Sequence, residues 1–186
     1  MKTFKKVIRV WLPLALIISA LCALVYLVEQ QVLRMGANDP QIQWAEDAAT
    51  ALTKGSSAES VIPVNKVNIA ASLAPFMIVF DDSGKPVASS ALLHDQIPAY
   101  PVGVFDYVRK NGKDRVTWQP EPGVRIASVV VAYSGAQNGF VMAGRSLRET
   151  EKRIDLVGTY ATFAWILTML SSLLLVALAE IFLSEK

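Results

Sequence analysis

Two stretches of this chain contain no charged residue, 10–28 and 156–179. Wound as helix at about 1.5 Å per residue, each reaches across a hydrocarbon core of roughly 30 Å. A helix in a globular core keeps a polar face toward water and rarely stays uncharged on every side for so long. The pattern predicts two membrane-spanning helices with one folded segment between them. The domain organisation read from it is 1–29 for the first tip and span, 30–155 for the folded segment, and 156–186 for the second span and a short tail.

Basic residues set the expected orientation. Lys2, Lys5, Lys6 and Arg9 precede the first span, whereas Glu29-Gln30-Gln31 follows it. Positive flanks stay in the cytoplasm, so both termini are expected there, with the central domain outside. A cleaved signal peptide fits less well, because the apolar run is long and no A-x-A site follows it. Ser19-Ala20-Leu21-Cys22 departs from a lipoprotein site at Leu21, where a small residue is needed. Cys22 therefore reads as a small apolar residue facing lipid or a neighbouring helix.

The net charge of +2 comes from the tips, since residues 30–155 hold thirteen basic and thirteen acidic side chains. No basic patch of the kind that binds nucleic acid is expected. With no cysteine between the spans, the domain must hold together without disulfides.

Within the domain, Asp39-Pro40 reads as a cap and first helical residue, and Ile42, Ala45, Ala48, Ala49 and Leu52 recur at helical spacing up to Gly55. Residues 56–60 read as loop. Phe76-Met77-Ile78-Val79-Phe80 is a short apolar strand, Asp81-Asp82-Ser83-Gly84-Lys85 is turn chemistry, and 86–90 returns as the second strand of a hairpin. A short helix over 102–110 precedes three strands at 115–119, 124–133 and 139–146. Residues 147–154 form a charged helix entering the second span. Sequential strands usually pair, which favours one five-stranded antiparallel sheet. One face is expected to take the long N-terminal helix and the other a short helix or a ligand pocket.

The hairpin over 76–90 and the run Gly139-Phe140-Val141-Met142-Ala143-Gly144-Arg145-Ser146-Leu147-Arg148-Glu149-Thr150-Glu151 resemble the first hairpin, and the last strand passing into the membrane-entering helix, of extracytoplasmic PAS-like sensor domains, the Cache group. The resemblance covers about residues 39–155. The whole chain also resembles uncharacterised bacterial two-span membrane proteins. It implies an α+β fold, a PAS-like five-stranded antiparallel sheet with flanking helices plus two transmembrane α-helices, in a bacterial inner membrane. It also implies a sensory or ligand-binding role. Receptors of this group continue past the second span into a signalling module, whereas this chain stops at Ser184-Glu185-Lys186. Any signal is then expected to leave through a partner membrane protein or a second copy.

No catalytic constellation is evident, and neither enzyme activity, cofactor nor metal site is expected. His94, beside Asp95, reads as a surface histidine. Asp81 and Asp82 lack further ligands at calcium-binding spacing, and Gly144-Arg145-Ser146 lacks the second glycine of a nucleophile elbow. In PAS-like folds small ligands sit between the sheet and the middle helix. The candidate binding residues are therefore Tyr107 on that helix with Arg115, Trp118, Arg125, Tyr133 and Arg145 on strands. Arg125 and Tyr133 share a strand face by their even spacing. Arginines and aromatics together suit a small anionic ligand such as a carboxylate. In the membrane, Glu180 is read as snorkelling to the interface, and Ala15, Ser19 and Ala23 permit close helix approach. Gly158, Thr162 and Ser172 are read as permitting contact between the second span and another helix. The alternative role is a structural accessory subunit of a membrane complex.

Overall fold

The computed structural model describes residues 2–184. The chain end at Glu185-Lys186, on which the expected lack of a signalling module rests, lies outside them. Two compact units are present, one formed by residues up to Leu33 together with those from Lys152 onward, the other by Arg34–Glu151.

The first unit is made of most of two long helices, α1 (Lys2–Gly36) and α5 (Arg148–Ser184), whose ends at 34–36 and 148–151 belong to the second unit. Their most apolar windows have mean hydropathies of 2.4 and 2.1, and only 6% and 0% of those windows is buried within the protein. A core helix of a soluble protein would be covered, so these two are suited to lipid. They pair through polar contacts at matching depths. Trp11 Nε1 donates to Ser172 Oγ at 3.0 Å, and Trp165 Nε1 donates to Ser19 Oγ at 2.9 Å. Lys6 Nζ lies 2.7 Å from Glu180 Oε2. Glu180, expected to snorkel, thus meets a partner on the other helix. Gly158 and Ser172, read as contact points for another helix, are taken up by α1: a Cβ on Gly158 would already touch the Tyr26 ring.

The second unit is α+β. A five-stranded antiparallel sheet has the order β3-β2-β7-β6-β5, with β2 at Phe76–Asp81, β3 at Pro86–Ser89, β5 at Lys113–Glu121, β6 at Val124–Ser134 and β7 at Asn138–Ser146. The central strand β7 bonds to β2 and β6 along its length. All of Phe76–Phe80 is buried because each face of β2 is covered. Phe76, Ile78 and Phe80 point to a cluster with Phe105 and Val108 of helix α4 (Val102–Asn111). Met77 and Val79 point to a cluster with Ala45, Ala48, Ala49 and Leu52 of helix α2 (Asp39–Thr53). The two faces therefore carry the two helices expected.

The hairpin turn between β2 and β3 is set by Asp81. Its Oδ1 accepts from the backbone of Ser83 at 2.9 Å and Lys85 at 3.0 Å, and from the Ser83 hydroxyl at 2.6 Å. These bonds favour the ionised carboxylate and hold its pKa below the ordinary 3.8, the Ser83 hydroxyl contributing most. Gly84, at φ +83°, supplies the left-handed residue of the turn.

Three local details differ from the sequence expectation. The cap of α2 is Asn38, one residue earlier than expected, so Asp39 opens the helix and Pro40 follows. Residues 56–60, expected as loop, enter a short helix α3 (Ala58–Val61), whose first turn Ser57 caps by accepting from Ser60 N. A two-stranded parallel sheet, β1 (Val67–Asn68) with β4 (Ala91–Leu92), joins segments far apart in sequence.

Both connections toward the apolar helices leave from one end of the sheet. Thr53, at the end of α2, lies against Gly135 beyond β6, which places the start of α2 at the opposite end. At that opposite end Leu147 N, just before α5, donates to Arg125 O at 2.8 Å.

Candidate functional site

The space between the sheet and α4 is filled by rings. Phe105 lies 4.9 Å from both Phe80 and Phe140 and 5.8 Å from Tyr100, and Tyr100 lies 5.0 Å from Trp118, measured between ring centroids. Arg109, from the last turn of α4, stacks 5.2 Å over Phe140 while its Nη2 donates to Asp82 O at 2.7 Å and its Nη1 to Asp106 at 2.9 Å. It fastens α4 across the hairpin turn. Deeper in, Ser128 Oγ donates to Val116 O at 2.8 Å. Its one proton is then spent, so the Tyr100 hydroxyl must donate in their 2.8 Å bond. Burial is the main cause that pushes the Tyr100 pKa up to about 12.

On this side a groove of about 400 Å³ opens at the β5 edge, lined by Tyr100, Pro101, Thr117, Trp118 and Pro120 among others. Beside it, His94 and Asp95 form a tight turn closed by Leu93 and Gln96, both with positive φ (50° and 60°). His94 Nε2 lies 2.7 Å from Glu121 Oε2 rather than pairing with Asp95.

The candidate residues divide between the two faces. Trp118 stands opposite Ile126 and is buried in the ring cluster, 4% exposed. Tyr107, on α4, is 52% exposed and lies outside that cluster. Arg115 stands opposite Val129, and Arg145 opposite Ala127, two residues along β6 from Arg125. All three arginines therefore share the face that carries α2, and all three are exposed. Tyr133 is on that face too, as its spacing from Arg125 implies, but at the far end of β6, buried, with its hydroxyl donating to Phe80 O at 3.4 Å. Burial raises its pKa. Arg125 makes an ion pair with Glu151 in the first turns of α5. The fold thus places the three arginines and Tyr133 on one face of the sheet and Trp118 on the other, in the ring cluster that Tyr107 stands outside.

Tyr100, Ser128, Arg109 and the His94–Glu121 contact were not singled out from sequence. Only the Asp106–Arg109 spacing of three on a helix carried a local signal. Among the described residues no group of three or more His, Cys, Asp or Glu side chains is placed to hold a metal. Within the first unit, a second groove of about 790 Å³ opens between the two helices, lined by Ser19, Cys22, Tyr26, Asp155, Gly158 and Thr162 among others. Comparison with protein-family models, with curated proteins and with solved structures found no match.

Proposed function

We propose that this chain is a membrane-anchored sensory module of the PAS-like, Cache type, carried outside the cytoplasm and acting through a partner membrane protein. One observation carries the reading. The central strand β7, bonded on both sides, passes after the single residue Leu147 into α5, which continues as one helix into the apolar segment. A change at the sheet then has a direct covalent route along α5. Among the described residues, no catalytic group is proposed.

A second reading, a structural accessory subunit of a membrane complex, is favoured by the five rings that fill the space between sheet and α4. There the domain would be a folded contact surface rather than a receptor.

Both readings require a partner for α5, and its free side is defined. Phe163, Leu167, Leu170 and Leu174 recur at spacings of three and four and are 60–68% exposed. Single cysteines at these positions, in a Cys22→Ser background in native membranes, are expected to cross-link to a protein partner or a second copy. Cysteines at Trp165 and Ser172 are expected to give none of these intermolecular products, because those side chains face α1. Uniform absence of cross-links along α5 would defeat both readings and leave the helix as an anchor. Stabilisation of the full chain by a small carboxylate, amino acid or sugar would favour the sensor over the accessory subunit.

A further inference from the structure

We infer that the groove between α1 and α5 is a site for one phospholipid whose headgroup carries a primary ammonium, as phosphatidylethanolamine does. The inference does not rest on the sensory reading, only on the two apolar helices lying in a bilayer.

The groove has the length of one leaflet. Its mouth holds Asp155, the last charged residue before the uncharged run of α5, and Tyr26, in the last turn of the uncharged run of α1. From Asp155 to Ile166, the last residue of α5 that lines the groove, the helix rises about 16 Å, close to half of a hydrocarbon core of roughly 30 Å. At that depth Trp165 bonds to Ser19, and beyond it Trp11 bonds to Ser172 while Ala15 and Val7 are buried. An acyl chain ends near the middle of the bilayer and needs no further room. A transmembrane helix of a partner would run on into the half where α1 and α5 are already joined. Length therefore favours a lipid over a third helix.

Charge selects the headgroup. Among the described residues, neither the Asp155 carboxylate nor the Tyr26 hydroxyl has a hydrogen-bond or ion-pair partner. The hydroxyls nearest to them on α5 are spent within the helix, since Thr159 donates to Asp155 O at 2.9 Å and Thr162 to Gly158 O at 2.8 Å. The mouth thus presents acceptors and a negative charge without donors to meet them. A primary ammonium brings three N–H donors and a positive charge, and its hydrogen bonds to a carboxylate are of the strong, charge-assisted kind. The quaternary ammonium of phosphatidylcholine has no N–H to give, and phosphatidylglycerol brings only negative charge to Asp155. Deeper in, Ala23, Ala161, Phe163 and Ile166 offer an apolar wall to the chain.

The test uses the full chain in neutral detergent, titrated with phosphatidylethanolamine, phosphatidylcholine or phosphatidylglycerol of identical acyl chains and read by native mass spectrometry. A hydrogen bond to a charged group changes affinity by roughly tenfold, so the natural chain is expected to bind phosphatidylethanolamine about tenfold more tightly than either other lipid. D155N is expected to remove most of that preference and D155E to keep it. A23F, which places a ring at an exposed position lining the groove, is expected to weaken binding of all three lipids. Equal binding of phosphatidylethanolamine and phosphatidylcholine by the natural chain would overturn the inference, and so would an unchanged preference in D155N. Undiminished binding by A23F would place the lipid elsewhere and overturn it too. Displacement of the lipid by free ethanolamine at equal concentration would mark a site for soluble amines instead. A cysteine at Thr162, in a Cys22→Ser background, that cross-links to another protein in native membranes would put a helix in the groove and equally defeat the inference.

Discussion

Gly139→Ala is expected to destabilise the folded domain by about 3 kcal/mol, the upper end for an overpacked core position. A Cβ at this position would stand 2.2 Å from Phe80 O and 2.7 Å from the Tyr133 hydroxyl. The first neighbour is backbone, and it cannot retreat, because residue 139 is paired with Asp81 of β2 on one side and with Tyr133 of β6 on the other. The methyl group therefore pushes the central strand out of two ladders at once. Thermal melting of the full chain in mild detergent should show the loss as a drop on the order of 10 °C or more. Gly103→Ala is the matched control, since that glycine lies in α4 with no atom within 4 Å of the added carbon. There the better helix former should leave stability unchanged or raise it by up to about 1 kcal/mol. Equal melting temperatures for the two variants would show that β7 is not held between β2 and β6 as described.

Phe105→Ala is expected to be the most damaging single truncation, at about 3–5 kcal/mol. The ring is 2% exposed and makes close contacts with Phe80, Tyr100 and Phe140. Removing it costs its own transfer from water, the ring–ring contacts of three neighbours, and the cavity left behind. The neighbours have little freedom to close that cavity, because Tyr100 is fixed to Ser128 and Arg109 pins α4 to the hairpin turn. Tyr107→Ala, two residues along the same helix and largely exposed, should change stability by no more than about 0.5 kcal/mol. Denaturant midpoints for the two variants check the contrast. Similar midpoints would mean that the rings do not form the core on this face.

Much of this architecture was legible because its signals are local. The uncharged runs identify the two long helices without reference to anything they touch. Phe76–Phe80 reads as a strand from its length and from the Asp-Ser-Gly turn that follows, and its uninterrupted apolar character matches a strand covered on both faces. Parity along β6 was equally local: it shows that Arg125 and Tyr133 point the same way. It does not show which helix waits on that side, since that depends on how the strands pair and where α2 returns. The arginines were expected near the middle helix and are found on the face of α2 instead. The same limit hid the β1–β4 pairing, made of two residues from each of two distant segments, and the partner of Glu180, which lies on the other long helix. The four residues of α3 carry too few turns for a periodic signal, and only the capping Ser57 marks them.

The proposed topology holds a folded domain outside the cytoplasm between two membrane-spanning helices. Single cysteines at Ser57 and Ser134, both exposed on the domain, test it in a Cys22→Ser background. In intact spheroplasts these two positions are expected to react with a membrane-impermeant thiol reagent, while a cysteine at Ser184 reacts only after the membrane is opened. Labelling at Ser184 in intact spheroplasts, with protection at Ser57 and Ser134, would place the domain in the cytoplasm and invert this topology.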